Sequence, residues 1–414
     1  MTSRYLPRFA DQQIERLLAE LPAVLLVGPR ASGKTTTARR HAETVLRLDD
    51  RRQAAAVDAD PDAILRNAAE PVLVDEWQLA PAVLGAVKRA VDDDWRPGRF
   101  IITGSVHARL EQPTWPGTGR LARVSMTGLA ARELLRGDVS RPPFIERVAE
   151  LGTPGLHLPA NVPDLRDYVE LALRGGFPEA ALTSSTTARR ALLEGYLDQL
   201  FTRDVDQADG GRDPYLLRRF FEAYALNSAG IVTETTLAES AGMSRRTVDN
   251  YERMLSNLYI VDPLPAWTTN RLKRLARSPK RYVIDPSLVA AALDLDTEGY
   301  LRDADLLGRL IDTFVVAQLR AELQSGAHRA RLHHLRDQNG EHEVDLVVEL
   351  GFNQIIAIEV KAHSAPTIQA AKHLRWLRDQ LGDHFLAGLV LHTGPHIYPL
   401  DRKITAAPIC TIWG

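Results

Sequence analysis

The segment at residues 28–35, Gly-Pro-Arg-Ala-Ser-Gly-Lys-Thr, constrains this chain more than any other. It matches G-x-x-x-x-G-K-[ST] in full, follows an apolar run at 21–28 and opens a helical pattern from Thr36 to His41. A strand, a glycine loop and a helix in that order make a cradle for phosphate. Gly28 and Gly33 let the backbone curl so that successive N–H groups point inward at phosphate oxygens. Lys34 is placed to reach the β- and γ-phosphates, and the Thr35 hydroxyl to ligate magnesium. The expected ligands are therefore ATP and Mg2+, with Gly28, Pro29, Arg30, Ala31, Ser32, Gly33, Lys34, Thr35 and Thr36 around the nucleotide.

Two further runs resemble the first, 71–76 and 99–105. Unalternating apolar runs that end in small or acidic residues read as strands of a parallel sheet covered on both faces. Helical patterns at 52–69 and 80–91 separate them, so the first 130 residues read as repeated strand–helix units of an α/β core. The second run delivers Asp75 and Glu76 at its C-terminal end. Asp75 is placed to hold magnesium, and Glu76 to orient or deprotonate the attacking water. Thr103, at the end of the third run, is placed to sense the γ-phosphate.

At 414 residues the chain is expected to hold two or three domains. The net charge of −2 gives no global positive field for nucleic acid or an anionic membrane, so any such contact must come from a local patch. A single cysteine, Cys410, excludes an intramolecular disulfide and points to a reducing compartment. No apolar stretch approaches the roughly 18 residues that span a bilayer, and residues 1–11 lack a signal-peptide core; a cytoplasmic location is expected. The histidines show no zinc spacing. Residues 112–119 and the stretch 140–163, with five prolines, read as loops, the second as a hinge.

Residues 234–260 carry a helix-turn-helix pattern. Thr235 or Thr236 can cap a short helix through Ala241, Gly242 makes the turn, and Ser244 caps a second helix with Val248, Tyr251, Leu255 and Leu258 on one stripe. Arg245 and Arg246 stand in its first turn, a placement that suits phosphate or base contact. A basic run follows at 271–281 (Arg271, Lys273, Arg274, Arg277, Lys280, Arg281), where a wing would lie. DNA is one candidate partner through these residues; a protein partner, with the basic run as a solvated face, is the other.

Residues 343–349 and 355–361 alternate as two strands joined by Gly351-Phe352-Asn353. Asp345 and Glu359 each lie seven residues from Phe352, so a hairpin centred there makes them cross-strand partners. Lys361 shares their face. Two facing carboxylates call for a cation between them: either a divalent metal, with Lys361 left to polarise water, or Lys361 itself pairing across the sheet.

These landmarks together resemble a prokaryotic family of AAA-like ATPases with a C-terminal domain of unknown function. The resemblance rests on the glycine loop, Asp75-Glu76, Ile-Thr-Gly-Ser at 102–105, Gly119-Arg120, Gly175-Gly176-Phe177-Pro178-Glu179, Arg203-Asp204, Lys280 with Asp285, and Glu359-Val-Lys361. It implies an α/β protein in three parts: an AAA-like P-loop core with a parallel sheet, a helical and winged-helix middle, and a C-terminal fold related to restriction endonucleases. The expected boundaries are 1–139, a connector at 140–210, the winged helix at 211–278 and the nuclease-like domain at 279–414. The resemblance adds a helix acid to the C-terminal metal set, here Asp312, beside Asp345 and Glu359. Arg120 and Arg203 are candidates for an arginine finger or for structural ion pairs. Two functions are expected: ATP-dependent handling of nucleic acid, with Asp345, Glu359 and Lys361 as a magnesium-dependent nuclease, or a nucleotide-controlled switch that cuts nothing.

Overall fold

The computed structural model describes residues 5–104, 119–204, 213–268, 277–326, 330–337 and 340–414. The three N-terminal apolar runs become β1 (Ala23–Val27), β3 (Val72–Asp75) and β4 (Phe100–Gly104), and the sheet adds two strands outside those runs, β2 (Thr44–Arg47) and β5 (Ala122–Ser125). All pair in parallel, in the order β2-β3-β4-β1-β5. Parallel pairing requires crossovers, which place helices on both faces and bury the central strands β1, β3 and β4 throughout. Helix Phe9–Glu20 lays Ile14 and Leu18 on one face, and helix Val83–Asp93 lays Val83, Val87 and Val91 on the other. Each such side chain contributes roughly 1.5–3 kcal/mol by leaving water. That packing holds β1 and β3 in place, and their C-terminal ends carry the polar residues.

The helical pattern at 52–69 is broken into Arg51–Ala59 and Pro61–Asn67. Pro61 has no N–H for the preceding turn, and the Asp60 carboxylate instead accepts from the Ala63 N–H, starting a new helix. The stretch 140–163 contains a helix, Phe144–Leu151, that the loop reading did not include. Phe144, Ile145 and Val148 are buried in the same core as helix Ala304–Leu323. Arg147 donates to the carbonyls of Gly155, Thr411, Ile412 and Gly414, tying this helix to the end of the chain. Prolines start this helix rather than prevent it, since Pro142 and Pro143 lie just outside its first turn.

In the middle of the chain, helices Pro214–Leu226, Glu234–Ala241 and Arg245–Asn257 enclose Phe220, Phe221, Leu237, Val248 and Leu255. Gly242 takes φ +63° at the turn between the last two, a conformation that costs a side chain more than glycine. Ser244 caps the second helix by accepting from the Thr247 N–H; the first is capped by Thr233, one turn earlier than Thr236 would allow. A two-stranded ribbon follows, in which Asp262 N–H donates to Tyr282 O (2.9 Å) and Leu264 N–H to Lys280 O (2.7 Å). Residues 269–276, with Arg271, Lys273 and Arg274, lie outside the described residues.

The C-terminal sheet comprises β6 (Arg331–Arg336), β7 (Glu343–Glu349), β8 (Ile355–Lys361), β9 (Phe385–His392), β10 (Tyr398–Asp401) and β11 (Ile404–Pro408), ordered β10-β11-β9-β8-β7-β6. It is mixed, with β8-β9 and β9-β11 parallel and the remaining pairs antiparallel. Helix Ala304–Leu323 packs on one face through Ile311, Phe314 and Val315, and helix Lys372–Leu381 on the other through Leu374 and Leu377. The middle ribbon is stitched to the edge of this sheet: His334 N–H donates to Pro265 O and Trp267 N–H to His334 O, at 3.1 and 2.6 Å. Among the described residues no helix is long and apolar enough to cross a membrane.

Candidate functional site

The loop leaving β1 closes on the N-terminus of helix Lys34–Ala38. Gly28 adopts φ +151°, and a Cβ there would lie 2.0 Å from the Met126 carbonyl oxygen, so only glycine fits. Gly33 caps the helix at φ +94°. Lys34 is buried, its Nζ donating to the carbonyls of Gly28 (3.1 Å) and Pro29 (2.8 Å). Burial pushes its ammonium down to about 8, against the raising fields of Glu76 and Asp75.

The β3 end lies beside the loop. Thr35 Oγ1 donates to Asp75 Oδ1 at 2.7 Å, and Thr103 Oγ1 donates to the same oxygen at 2.5 Å. Thr103 also accepts from the Glu76 N–H at 3.2 Å, so from the neighbouring strand β4 it holds the Asp75 carboxylate and the Glu76 backbone. Glu76 holds φ +57°, an uncommon conformation for a non-glycine residue that ends the strand abruptly, and its carboxylate accepts from Gln78 Nε2. A hydroxyl and a carboxylate oxygen 2.7 Å apart suit a hard cation that keeps several waters, as Mg2+ does.

Arg8 completes this site and carries no sequence signal. Buried at 4% exposure, its guanidinium donates to the carbonyls of Ser32 (3.0 Å), Thr127 (2.9 Å) and Gly128 (3.0 Å), with Nε 3.0 Å from Glu133 Oε1. The carbonyls it reaches lie 24 to 120 residues away, so no local pattern could have found it. Arg120 pairs with Asp92 at 2.6 Å, on helix Val83–Asp93. The side chain of Arg203 lies outside those described.

The C-terminal candidates also converge. The β7-β8 register pairs Leu346 with Ile358, and one step further sets Asp345 opposite Glu359. Lys361 Nζ lies 2.7 Å from Glu359 Oε2 and 4.0 Å from Asp345 Oδ2. A second ammonium, Lys280, stands between Asp312 Oδ2 (2.6 Å) and Asp345 Oδ1 (3.0 Å). The remaining oxygens of that pair accept from Tyr282 Oη (3.0 Å) and the Val360 N–H (3.0 Å). Burial pushes Asp312 up, whereas the two ammoniums outweigh burial at Asp345 and hold it low. Burial beside Asp345 pushes Glu359 up to about 8 despite Lys361, and its Oε1 has no hydrogen-bond partner. Arg245 and Arg246 are exposed at the start of helix Arg245–Asn257.

The loop, the β3 acids and the parallel sheet define a P-loop nucleotide-binding module. Residues 20–135 match the family model of an AAA domain. Residues 165–299 and 307–412 match two domains of unknown function, DUF8612 and DUF4143. The chain is 28% identical over 406 residues to the uncharacterized proteins Rv2008c of Mycobacterium tuberculosis and Mb2031c of Mycobacterium bovis, covering 97% of this chain and 83% of each relative. A solved structure titled as the Walker-type ATPase PABY2304 of Pyrococcus abyssi aligns at a TM-score of 0.41 and 14% identity, over 70% of this chain and 96% of that one.

Proposed function

We propose that this protein binds ATP with magnesium and hydrolyses it, and that the nucleotide state is passed to the middle and C-terminal modules. The observation that carries the first part is the convergence of Lys34, Thr35, Asp75 and Glu76 at the ends of two parallel strands. Magnesium, when bound, supplies charge neutralisation across the β- and γ-phosphates. Lys34 exchanges its two loop carbonyls for phosphate oxygens. Asp75, steadied by Thr103, would hold the cation when it is bound. Glu76 takes a proton from the attacking water.

The second part rests on a run of hydrogen bonds that begins at the loop. Arg8 joins Ser32 to Thr127 and Gly128, Leu129 N–H donates to Gly176 O at 2.6 Å, and Gly176 N–H donates to buried Asp285 at 2.7 Å. Asp285 sits directly after the ribbon that carries Lys280 and opens helix Pro286–Leu293. A second reading, nucleic-acid handling, is favoured by the exposure of Arg245 and Arg246 in the first turn of helix Arg245–Asn257.

The test is steady-state hydrolysis and ATP binding by the full chain with Mg2+. Lys34→Ala abolishes binding, while Glu76→Gln keeps binding and loses turnover by about 10²–10⁴-fold, the usual contribution of a general base. A wild-type protein that binds no ATP, or a Glu76→Gln variant as fast as wild type, overturns the proposal.

A further inference from the structure

Asp312, Asp345, Glu359 and Lys361 make the composition of a divalent-metal site, but their geometry does not fit one. Among the described residues, the grouping of three metal-ligating side chains with ligand atoms all within 4.8 Å of one another is Asp337, Glu341 and His342, not these carboxylates. Lys280 Nζ is 2.6 Å from Asp312 and 3.0 Å from Asp345. A magnesium ion bridging those oxygens would need to sit about 2.0–2.1 Å from each, within the gap that the nitrogen fills.

We propose that the Lys280 ammonium takes the place of a divalent ion in this carboxylate cluster, making the C-terminal module a charge-locked junction rather than a metal centre. Lys280 does not reach the cluster as a loose surface side chain. It is 2% exposed, and its backbone is bonded in both directions to Leu264, at 2.7 and 2.9 Å. The ribbon that carries it is hydrogen-bonded to the edge strand β6 through Pro265, Trp267 and His334. Asp312 belongs to helix Ala304–Leu323 and Asp345 to β7, so one side chain ties the middle module to two elements of the C-terminal one.

The charges agree with this arrangement. Two ammoniums, Lys280 and Lys361, face three carboxylates, and each ammonium has an oxygen within 2.7 Å. A divalent ion added beside them would share Asp312 and Asp345 with a buried like charge, a repulsion that low dielectric magnifies. The hydroxyl of Tyr282 and the amide of Val360 satisfy the carboxylate oxygens that Lys280 leaves over. The Asp312–Asp345 pair is complete without a metal, the one buried oxygen of the cluster left without a partner being Glu359 Oε1, and a cation can enter between the two aspartates only if the ribbon withdraws Lys280.

The test uses Mn2+ alone, titrated into nucleotide-free full-length protein and followed by electron paramagnetic resonance. The proteins are wild type, Asp345→Asn, Lys280→Met and Lys280→Met/Asp345→Asn. Wild type and Asp345→Asn are expected to bind Mn2+ alike, because neither offers this cluster to a metal. Lys280→Met is expected to gain a site at least tenfold tighter than any in wild type, lost again in the double variant. A wild-type site that Asp345→Asn removes overturns the proposal, and so does a folded Lys280→Met that gains nothing. The wild-type and Asp345→Asn pair decides the matter even if the Lys280 variant fails to fold. The measurement needs no nucleotide, so its outcome is separate from that of the ATPase proposal.

Discussion

Replacing Arg8 with alanine tests whether the nucleotide loop is held from outside its own motif. Arg8 makes three hydrogen bonds to carbonyls and an ion pair with buried Glu133. Removing one partner of a buried ion pair costs about 3–5 kcal/mol, because the other charge stays behind uncompensated. Glu133 retains the Phe9 and Ala130 N–H groups at 2.7 and 2.8 Å, which puts the loss at the low end, about 3 kcal/mol. A second effect falls on binding. In a trans peptide the carbonyl and the next N–H point opposite ways, so an Arg8 bond to Ser32 O aims the Gly33 N–H into the loop. Losing one oriented donor of about 1.4 kcal/mol weakens ATP about tenfold. Urea unfolding followed by tryptophan fluorescence gives the first quantity, and titration with a fluorescent ATP analogue the second. Arg8→Lys recovers less than half of either, since a single ammonium cannot span Ser32, Thr127 and Gly128. An Arg8→Ala protein within about 1 kcal/mol of wild type, with unchanged ATP affinity, refutes the reasoning.

Two further outcomes follow from the site residues. Lys34 titrates near 8 in the nucleotide-free protein, and paired with phosphate it stays protonated well above that. ATP binding therefore takes up a proton above pH 8, and affinity falls about tenfold between pH 7 and pH 9, or about 1.4 kcal/mol; calorimetry in buffers of different ionisation enthalpy reads the proton directly, and a flat profile sinks the assignment. If the helix Arg245–Asn257 contacts DNA, Arg245→Ala/Arg246→Ala lowers the slope of log K against log salt by about 2, since each phosphate contact contributes about 0.9. Fluorescence anisotropy on a duplex measures it, and a slope unchanged from wild type removes those arginines from any interface.

Much of the nucleotide site was legible because its parts are contiguous. Gly28 through Thr35 carry their own geometry, and Asp75-Glu76 announce themselves by ending an apolar run. The hairpin register was equally local: seven residues on either side of Phe352 set Asp345 against Glu359, whatever else surrounds them. Boundaries suffered where one residue outranked a pattern. Pro61 split a helix that the apolar spacing ran together, and Pro142-Pro143 started a helix where proline content read as a loop. Thr233, rather than Thr235 or Thr236, capped its helix because its hydroxyl reaches the Thr236 N–H.

The sequence alone marked the nucleotide loop of the first domain, since backbone curl, lysine and hydroxyl lie within eight consecutive residues and need no distant partner to be recognised. It also determined which acids the C-terminal hairpin brings together. Only the tertiary structure decided what balances those acids. Lys280 is 32 residues from Asp312 and 65 from Asp345 along the chain, and it reaches them because the ribbon is bonded to the edge of another module's sheet. Arg8, at the start of helix Phe9–Glu20, likewise reaches the loop only in the folded chain, across 24 residues to Ser32 and 120 to Gly128. Charge compensation depends on distance in space and on burial, and neither is written in the order of residues.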